Sequence, residues 1–175
     1  MKLNQQPQGS IPRPIEPRGF FTGLKIRPII IGAVVDYVAT YAVVTLYLIF
    51  VYMKEPLEKG GVPTEALQEA LKEMLSSQQG LLDLLIIGAL CTVLGGYVAG
   101  RLARAEEIKH GALVGAVALI VGVLQTGMAG EASPVPYWHE LLGYLLAIPA
   151  GALGGFLAQG RARPSIPRST QGRRL

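Results

Sequence analysis

The sequence predicts an all-α polytopic membrane protein, with four transmembrane helices in an up-down bundle and a short amphipathic helix in the first outer loop. Three observations predict this fold class. Half of the 175 residues are hydrophobic, and only 16% are charged, against about 25% in soluble domains. The 16 basic and 12 acidic residues are clustered. Four continuous apolar runs separate the clusters, which indicates helices embedded in lipid.

The four apolar runs lie near residues 29–53, 81–103, 111–130 and 141–159, here called spans 1 to 4. A helix rises about 1.5 Å per residue, so roughly 20 residues cross a hydrocarbon core of about 30 Å. Lipid admits only helices or closed barrels, and barrel strands alternate in polarity, which these runs do not. A soluble bundle is disfavoured because little amphipathic sequence is left to cover it.

The basic residues predict the orientation of the spans. Thirteen of the 16 lysines and arginines lie in residues 1–27, 101–110 and 161–175. Basic residues in short flanking segments mark the cytoplasmic side. We therefore expect both termini and the middle loop to be cytoplasmic. The net charge of +4 then reflects membrane orientation, and we expect no nucleic-acid partner.

The chain divides into a membrane domain and two tails. Residues 1–27 and 161–175 are basic and are predicted to be disordered, and residues 28–160 form the four-helix membrane domain. A surface helix is predicted over 63–78, with Thr64 as its cap and Gly80 as its end. Two roles are open for this helix: covering the outer ends of the spans, or docking a partner protein.

Glycine predicts how the spans pack. In lipid, helices associate through small residues that let their backbones approach closely. Spans 2, 3 and 4 are rich in glycine and are expected to form the tight core, with span 1 more peripheral. The same small-residue faces could also support a homodimer. The predicted packing residues are Gly95, Gly96, Gly100, Gly111, Gly115, Gly151 and Gly155.

A carboxylate inside span 1 is the main candidate site. A charged residue in mid-membrane is costly and faces the bundle or a polar partner. Asp36 could be a proton or cation site or a substrate contact; alternatively, its hydrogen bonds could only fix helix packing. We also expect Arg101 or Arg104 to reach towards it. The candidate intramembrane polar site comprises Asp36, Tyr37, Thr40 and Tyr41.

The remaining polar residues near the spans predict structural roles. Asp83 is expected to cap the start of span 2. His110 is expected to pair with Glu106 or Glu107. Gln125 and Thr126 are expected to bond across helices.

No motif predicts catalysis, a metal site or a cofactor. The two histidines lie on opposite predicted sides of the membrane, and the sequence has no phosphate-binding loop, serine elbow or dinucleotide fingerprint. We therefore expect a protein that is not an enzyme.

One segment carries a resemblance. Residues 95–101 read GGYVAGR and residues 110–115 read HGALVG. This GGYxAGR…HGxxxG pattern resembles small prokaryotic integral membrane proteins with four helices, for which no activity is known. The resemblance implies a bacterial or archaeal inner-membrane protein and transfers no functional residue. Residues 94–104 also resemble residues 153–163, which indicates either duplicated hairpins or two similar glycine-rich boundaries.

Two classes of function are compatible with these patterns. The first is a non-enzymatic structural or accessory subunit of the cytoplasmic membrane. The second is a small transporter or channel subunit that uses Asp36. The expected partners are the lipid bilayer and either a second copy of the chain or another membrane protein.

Overall fold

A computed structural model describes residues 23–54, 63–129 and 135–159. The predicted tails, 1–27 and 161–175, lie outside the described residues except for residues 23–27. Within the described part the chain is helical and contains no strand. The helices, in order, are α1 (Ile26–Tyr47), α2 (Pro63–Ser76), α3 (Gln78–Ala103), α4 (Glu107–Ala129) and α5 (Tyr137–Gln159), and a π-helical turn, Leu48–Tyr52, extends α1.

The predicted fold class, all-α and polytopic, is confirmed. Four helices are long and apolar enough to cross a membrane: Ile26–Tyr52, Gln78–Ala103, Glu107–Met128 and Tyr137–Gln159. Each begins three or four residues before the apolar run that predicted it. The first turn of each helix is formed by residues that precede the apolar run, so each helix is longer than its apolar segment.

The two ends of the bundle are named here by the helix termini that meet there. The proximal end holds the start of α1, the end of α3, the start of α4 and the end of α5; the distal end is the opposite one. At the proximal end only residues 104–106 separate α3 from α4. Arg104 adopts a left-handed conformation (φ 56°), and its amide donates to the carbonyl of Gly100 at 3.3 Å. This turn makes α3 and α4 antiparallel neighbours.

The amphipathic helix α2 packs beside the distal end of α1. Ala66, Ala70 and Met74 are buried against Leu48 and Met53. A 3.6-residue period of small and apolar residues produces this single buried face. The helix therefore attaches to the bundle by protein packing.

The predicted start of α2, residue 63, is confirmed, whereas both predicted caps and the predicted end, residue 78, are wrong. The helix starts at Pro63, so Thr64 lies inside its first turn. It ends at Ser76, and Ser77 caps the next helix by accepting the Gly80 amide at 3.0 Å. Gly80 is therefore the third residue of α3. The Ser77 hydroxyl supplies the capping bond that the start of α3 needs. The chain therefore turns after Ser76, two residues before the predicted end of α2 at residue 78.

Glycines bring α3, α4 and α5 together in the proximal half. All seven predicted packing glycines are buried. A Cβ atom added to Gly111 on α4 would lie 2.7 Å from the Gly155 nitrogen of α5. One added to Gly100 on α3 would lie 2.8 Å from the Cβ of Ala158. The backbones are thus too close for any larger residue.

The expectation that span 1 is peripheral holds only for part of α1. Its only glycine, Gly32, meets Gly95 of α3: a Cβ atom at Gly32 would lie 2.6 Å from the Gly95 carbonyl oxygen and 2.9 Å from Val114 Cγ2. Beyond this contact α1 packs on α3 and, less extensively, on α4. The contact between these two glycines brings α1 close to α3, although the rest of α1 is rich in large residues.

Candidate functional site

The predicted carboxylate lies at mid-depth and faces α3. Asp36 is only 7% exposed, and the rise of α1 puts it about 15 Å from the proximal end. Thr92 of α3, at nearly the same depth, donates its hydroxyl hydrogen to Asp36 Oδ1 at 3.2 Å and can share that hydrogen with the Gly88 carbonyl at 3.0 Å. Thr40, one turn along α1, also hydrogen-bonds to the carboxylate. Two threonines thus hold the acid in place.

The expected arginine partners lie elsewhere. Arg101 is nine residues beyond Thr92, about 14 Å further along α3 towards the proximal end, which is farther than its side chain extends. Arg104 terminates α3 in an exposed position. The expectation of a nearby arginine is therefore wrong. The residue of α3 at the depth of Asp36 is Thr92, which is its hydrogen-bond partner.

Two tyrosines flank the carboxylate along α1. The hydroxyl of Tyr37 donates to that of Tyr41 at 3.2 Å, and their ring centroids lie 4.7 Å apart. Tyr37 also reaches Gln125 of α4. The two rings are 48% and 57% exposed on the protein surface. They form a polar seam between α1 and α4, where these helices make few other contacts.

A cavity of about 940 Å³ connects these residues. It is bounded by the middle of α1 and by the distal halves of α3, α4 and α5. All four predicted polar residues line it, together with Thr92, and its lining reaches His139 and Glu140 at the start of α5. The cavity therefore extends from the mid-depth carboxylate to the distal end of the bundle.

One polar interaction and one unpaired polar atom lie at the distal wall of the cavity. The hydroxyls of Thr126 and Tyr144 lie 2.8 Å apart across α4 and α5, as expected for Thr126. His139 Nε2 is buried and has no hydrogen-bond partner among the described residues. A buried polar atom without a partner is costly, and this one belongs to a residue that lines the distal part of the cavity.

The proximal end is closed by a hydrogen-bonded cluster around His110, which is fully buried. Its Nε2 accepts the backbone amide of Lys25 at 3.0 Å, and its Nδ1 lies 2.9 Å from the Glu106 carbonyl. Lys25 Nζ donates to the Ala103 carbonyl at 3.2 Å. We call these four residues the proximal cluster. It ties the start of α1 to the turn between α3 and α4.

The predicted pairing of His110 with the side chain of Glu106 or Glu107 is wrong. The histidine contacts the backbone of Glu106, and the Glu106 carboxylate instead binds Lys109 at 3.0 Å. A helical residue lies directly over the carbonyl four positions earlier, so the backbone oxygen is nearer to the ring than the side-chain carboxylate.

The second carboxylate within the spans has a different role from the one predicted. Asp83 accepts hydrogen bonds from the Tyr47 hydroxyl and from Gln79 Nε2, the latter at 2.9 Å. Ser77 performs the capping that was expected of Asp83. Asp83 thus joins α1 to α3 near the distal end, beside the cavity but outside its lining.

Sequence reasoning missed Thr92, His139 and Tyr144 as neighbours of the candidate site. For Thr92 a signal existed: it lies 11 residues before the end of α3, and Asp36 lies 10 residues after the start of α1, which gives them equal depth. Within the described residues, no three His, Cys, Asp or Glu side chains are grouped closely enough to hold a metal ion.

Neither protein families, curated proteins nor solved structures yielded a match to this chain. The resemblance carried by the GGYxAGR…HGxxxG segment therefore stays a prediction. Any functional conclusion has to come from the cavity and its residues.

Proposed function

We propose that the protein is a small transporter or channel subunit in which Asp36 binds the transported species. One observation carries this proposal: a buried carboxylate at mid-depth lines a cavity that reaches the distal end of the bundle. A carboxylate at the centre of a membrane costs about 2.5–3.5 kcal/mol on insertion scales. Such residues mark ion and substrate pathways more often than not.

The chemistry around Asp36 favours this role over a purely structural one. The carboxylate accepts hydrogen bonds from threonines, and a neutral asparagine could accept the same bonds without carrying a charge into lipid. Packing alone therefore does not require an acid at this position. A binding site for a proton or a cation would make use of the acid.

The proposed location is the cytoplasmic membrane of a prokaryote, with both termini in the cytoplasm. The distribution of 13 of the 16 basic residues supports this orientation. The distal end of the cavity would then lie on the outer side. Cysteine labelling on a Cys91→Ala background tests it: Gly60→Cys should react with an impermeant reagent added to intact cells, and Ala105→Cys should not. The reverse pattern would invert the topology.

Flux measurements test the role of Asp36. We expect purified protein in liposomes to conduct protons or a monovalent cation, and Asp36→Asn to reduce that flux at least tenfold. Asp83→Asn is the matched control, because Asp83 is the other carboxylate of the spans but does not line the cavity; its flux should be near that of the wild type. Equal flux from Asp36→Asn and wild-type protein, or no flux from either, would refute the proposal.

The seam between α1 and α4 favours a second candidate, the accessory subunit. Tyr37 and Tyr41 are about half exposed there, and a helix of another membrane protein could pack against them. Purification from mildly solubilised membranes tests this: a stoichiometric partner that is lost on Tyr41→Leu would support it, and an unaccompanied protein would exclude it. Neither candidate is an enzyme.

A further inference from the structure

Building on the proposed transport role, we propose that the cavity beside Asp36 binds an organic monocation with an apolar body. Its volume, about 940 Å³, lies within the range of roughly 300–1,000 Å³ typical of sites for small organic ligands. A proton or a single metal ion needs no such space.

The charges of the lining select a cation. Asp36 is the buried carboxylate of the cavity, and Glu140 stands near its distal limit. No lysine or arginine is among the described residues that line it. An anionic ligand would therefore meet an uncompensated acid and no strong counter-charge.

The oxygen atoms near Asp36 do not suit a bare divalent cation. Divalent cations take about six oxygen ligands or more. Among the described residues, the groups bonded to Asp36 are the hydroxyls of Thr92 and Thr40. An alkylammonium or phosphonium ion needs only a single counter-charge and a surface that tolerates its hydrocarbon groups.

The remaining lining provides that surface. Tyr37, Tyr41 and Tyr144 contribute aromatic rings, and the face of such a ring attracts a cation. Between them lie aliphatic side chains such as Val34 and Leu85. One carboxylate, several rings and an aliphatic wall are complementary to a charge enclosed in hydrocarbon.

Tetraphenylphosphonium tests the inference, with tetraphenylborate as a probe of the same shape and opposite charge. The full chain in lipid nanodiscs would be dialysed to equilibrium against each radiolabelled ion, and uptake by empty nanodiscs subtracted. We expect saturable binding of about one tetraphenylphosphonium per protomer and no saturable binding of tetraphenylborate. Asp36→Asn should weaken the phosphonium binding at least tenfold.

Two glycines offer a matched pair of variants that keeps the carboxylate. A Cβ atom added to Gly88 or to Gly127 meets nothing within 4 Å, but only Gly88 lines the cavity. Gly88→Leu should therefore place a branched side chain in the cavity one turn from Thr92 and weaken binding, whereas Gly127→Leu should bind like the wild type. Gel filtration of each variant checks that it remains folded. If Asp36→Asn does not fold, this pair decides the result.

The outcomes separate this inference from the function on which it rests. Equal binding of both ions, or unchanged binding in Gly88→Leu, would show partition into the lipid and overturn the inference. If the Asp36-dependent flux of protons or inorganic cations persists in that case, the proposed function stands without the organic ligand. If that flux is absent as well, both are refuted.

Discussion

The proximal and distal halves of the bundle are built from the same four helices but pack differently. In the proximal half, Gly111 of α4 lies against Gly155 of α5, and Gly32 of α1 lies against Gly95 of α3, with no room for a Cβ atom. In the distal half Gly88 faces open space, and the helices leave a half-open cavity of about 940 Å³ between them. A glycine therefore does not by itself close a helix contact, because the result depends on whether another helix lies against it.

This difference gives the two halves different tasks. Apolar burial provides little net attraction between helices in lipid, so close backbone contacts must hold the bundle together. The proximal half and the proximal cluster supply that cohesion. The helices can therefore stand further apart in the distal half. That half holds most of the polar side chains that line the cavity. The predictions below test this division, beginning with the largest expected effect.

Enlarging a glycine in the proximal half should be the most damaging change. Gly111→Leu forces α4 away from the α5 backbone, and we expect a loss of about 3 kcal/mol in unfolding free energy, measured by titration with sodium dodecyl sulfate. Gly127→Leu on the same helix is the control and should unfold like the wild type. Equal losses in both would mean that the two halves do not differ in packing.

Removing the buried histidine should have the next largest effect. His110→Ala leaves the Lys25 amide without an acceptor, which costs about 1–3 kcal/mol. The same unfolding titration measures this loss, and hydrogen exchange at the Lys25 amide should accelerate. Lys109→Ala, which removes the more exposed ion pair with Glu106, should cost no more than about 1 kcal/mol. A larger effect of Lys109→Ala would show that the proximal cluster is not what holds α1.

The hydrogen bond between Asp36 and Thr92 should contribute less to stability. A double-mutant cycle of Asp36→Ala with Thr92→Val should give a coupling of about 0.6 kcal/mol, the average for hydrogen bonds between membrane helices. A coupling above about 2 kcal/mol would make Asp36 primarily a packing residue and would weaken the case for transport.

The smallest effect is expected at the cavity wall. Gly88→Ala adds a methyl group into open space and favours the helix, so the unfolding free energy should stay within about 0.5 kcal/mol of the wild type. Gly96→Ala is the matched change on the same helix in the proximal half, where the added Cβ would meet the Gly151 backbone, and it should destabilise clearly. Equal tolerance at both positions would contradict the division into two halves.

Much of the fold follows from the sequence, because the membrane imposes strong and simple constraints. Span number and the run of each span follow from apolar length alone. Asp36 was identifiable as a candidate because a carboxylate in mid-membrane is rare. The glycine-rich faces of α3, α4 and α5 were identifiable because small residues recurred there at four-residue spacing.

The remaining features depend on pairing between helices, which a single sequence does not encode locally. Gly32 is one glycine among large residues, and its contact with Gly95 depends on how α1 and α3 align. The cavity likewise depends on how the helices align, because nothing lies within 4 Å of a Cβ atom added at Gly88. Ser77, rather than Asp83, caps α3 because the chain reverses direction there after α2, and nothing in the apolar run marks that turn.

The contacts of α1 have a consequence for the order in which the protein is made. Thr92, which bonds Asp36, is 56 residues later in the chain, and His110, which binds the Lys25 amide, is 85 residues later. At about 5–20 residues per second, His110 is synthesised about 4–17 s after Lys25. Until Thr92 and His110 have both been made, α1 has to stay in the membrane without these partners. The surplus of large apolar residues on α1 is therefore a requirement of biosynthesis as well as of the finished bundle.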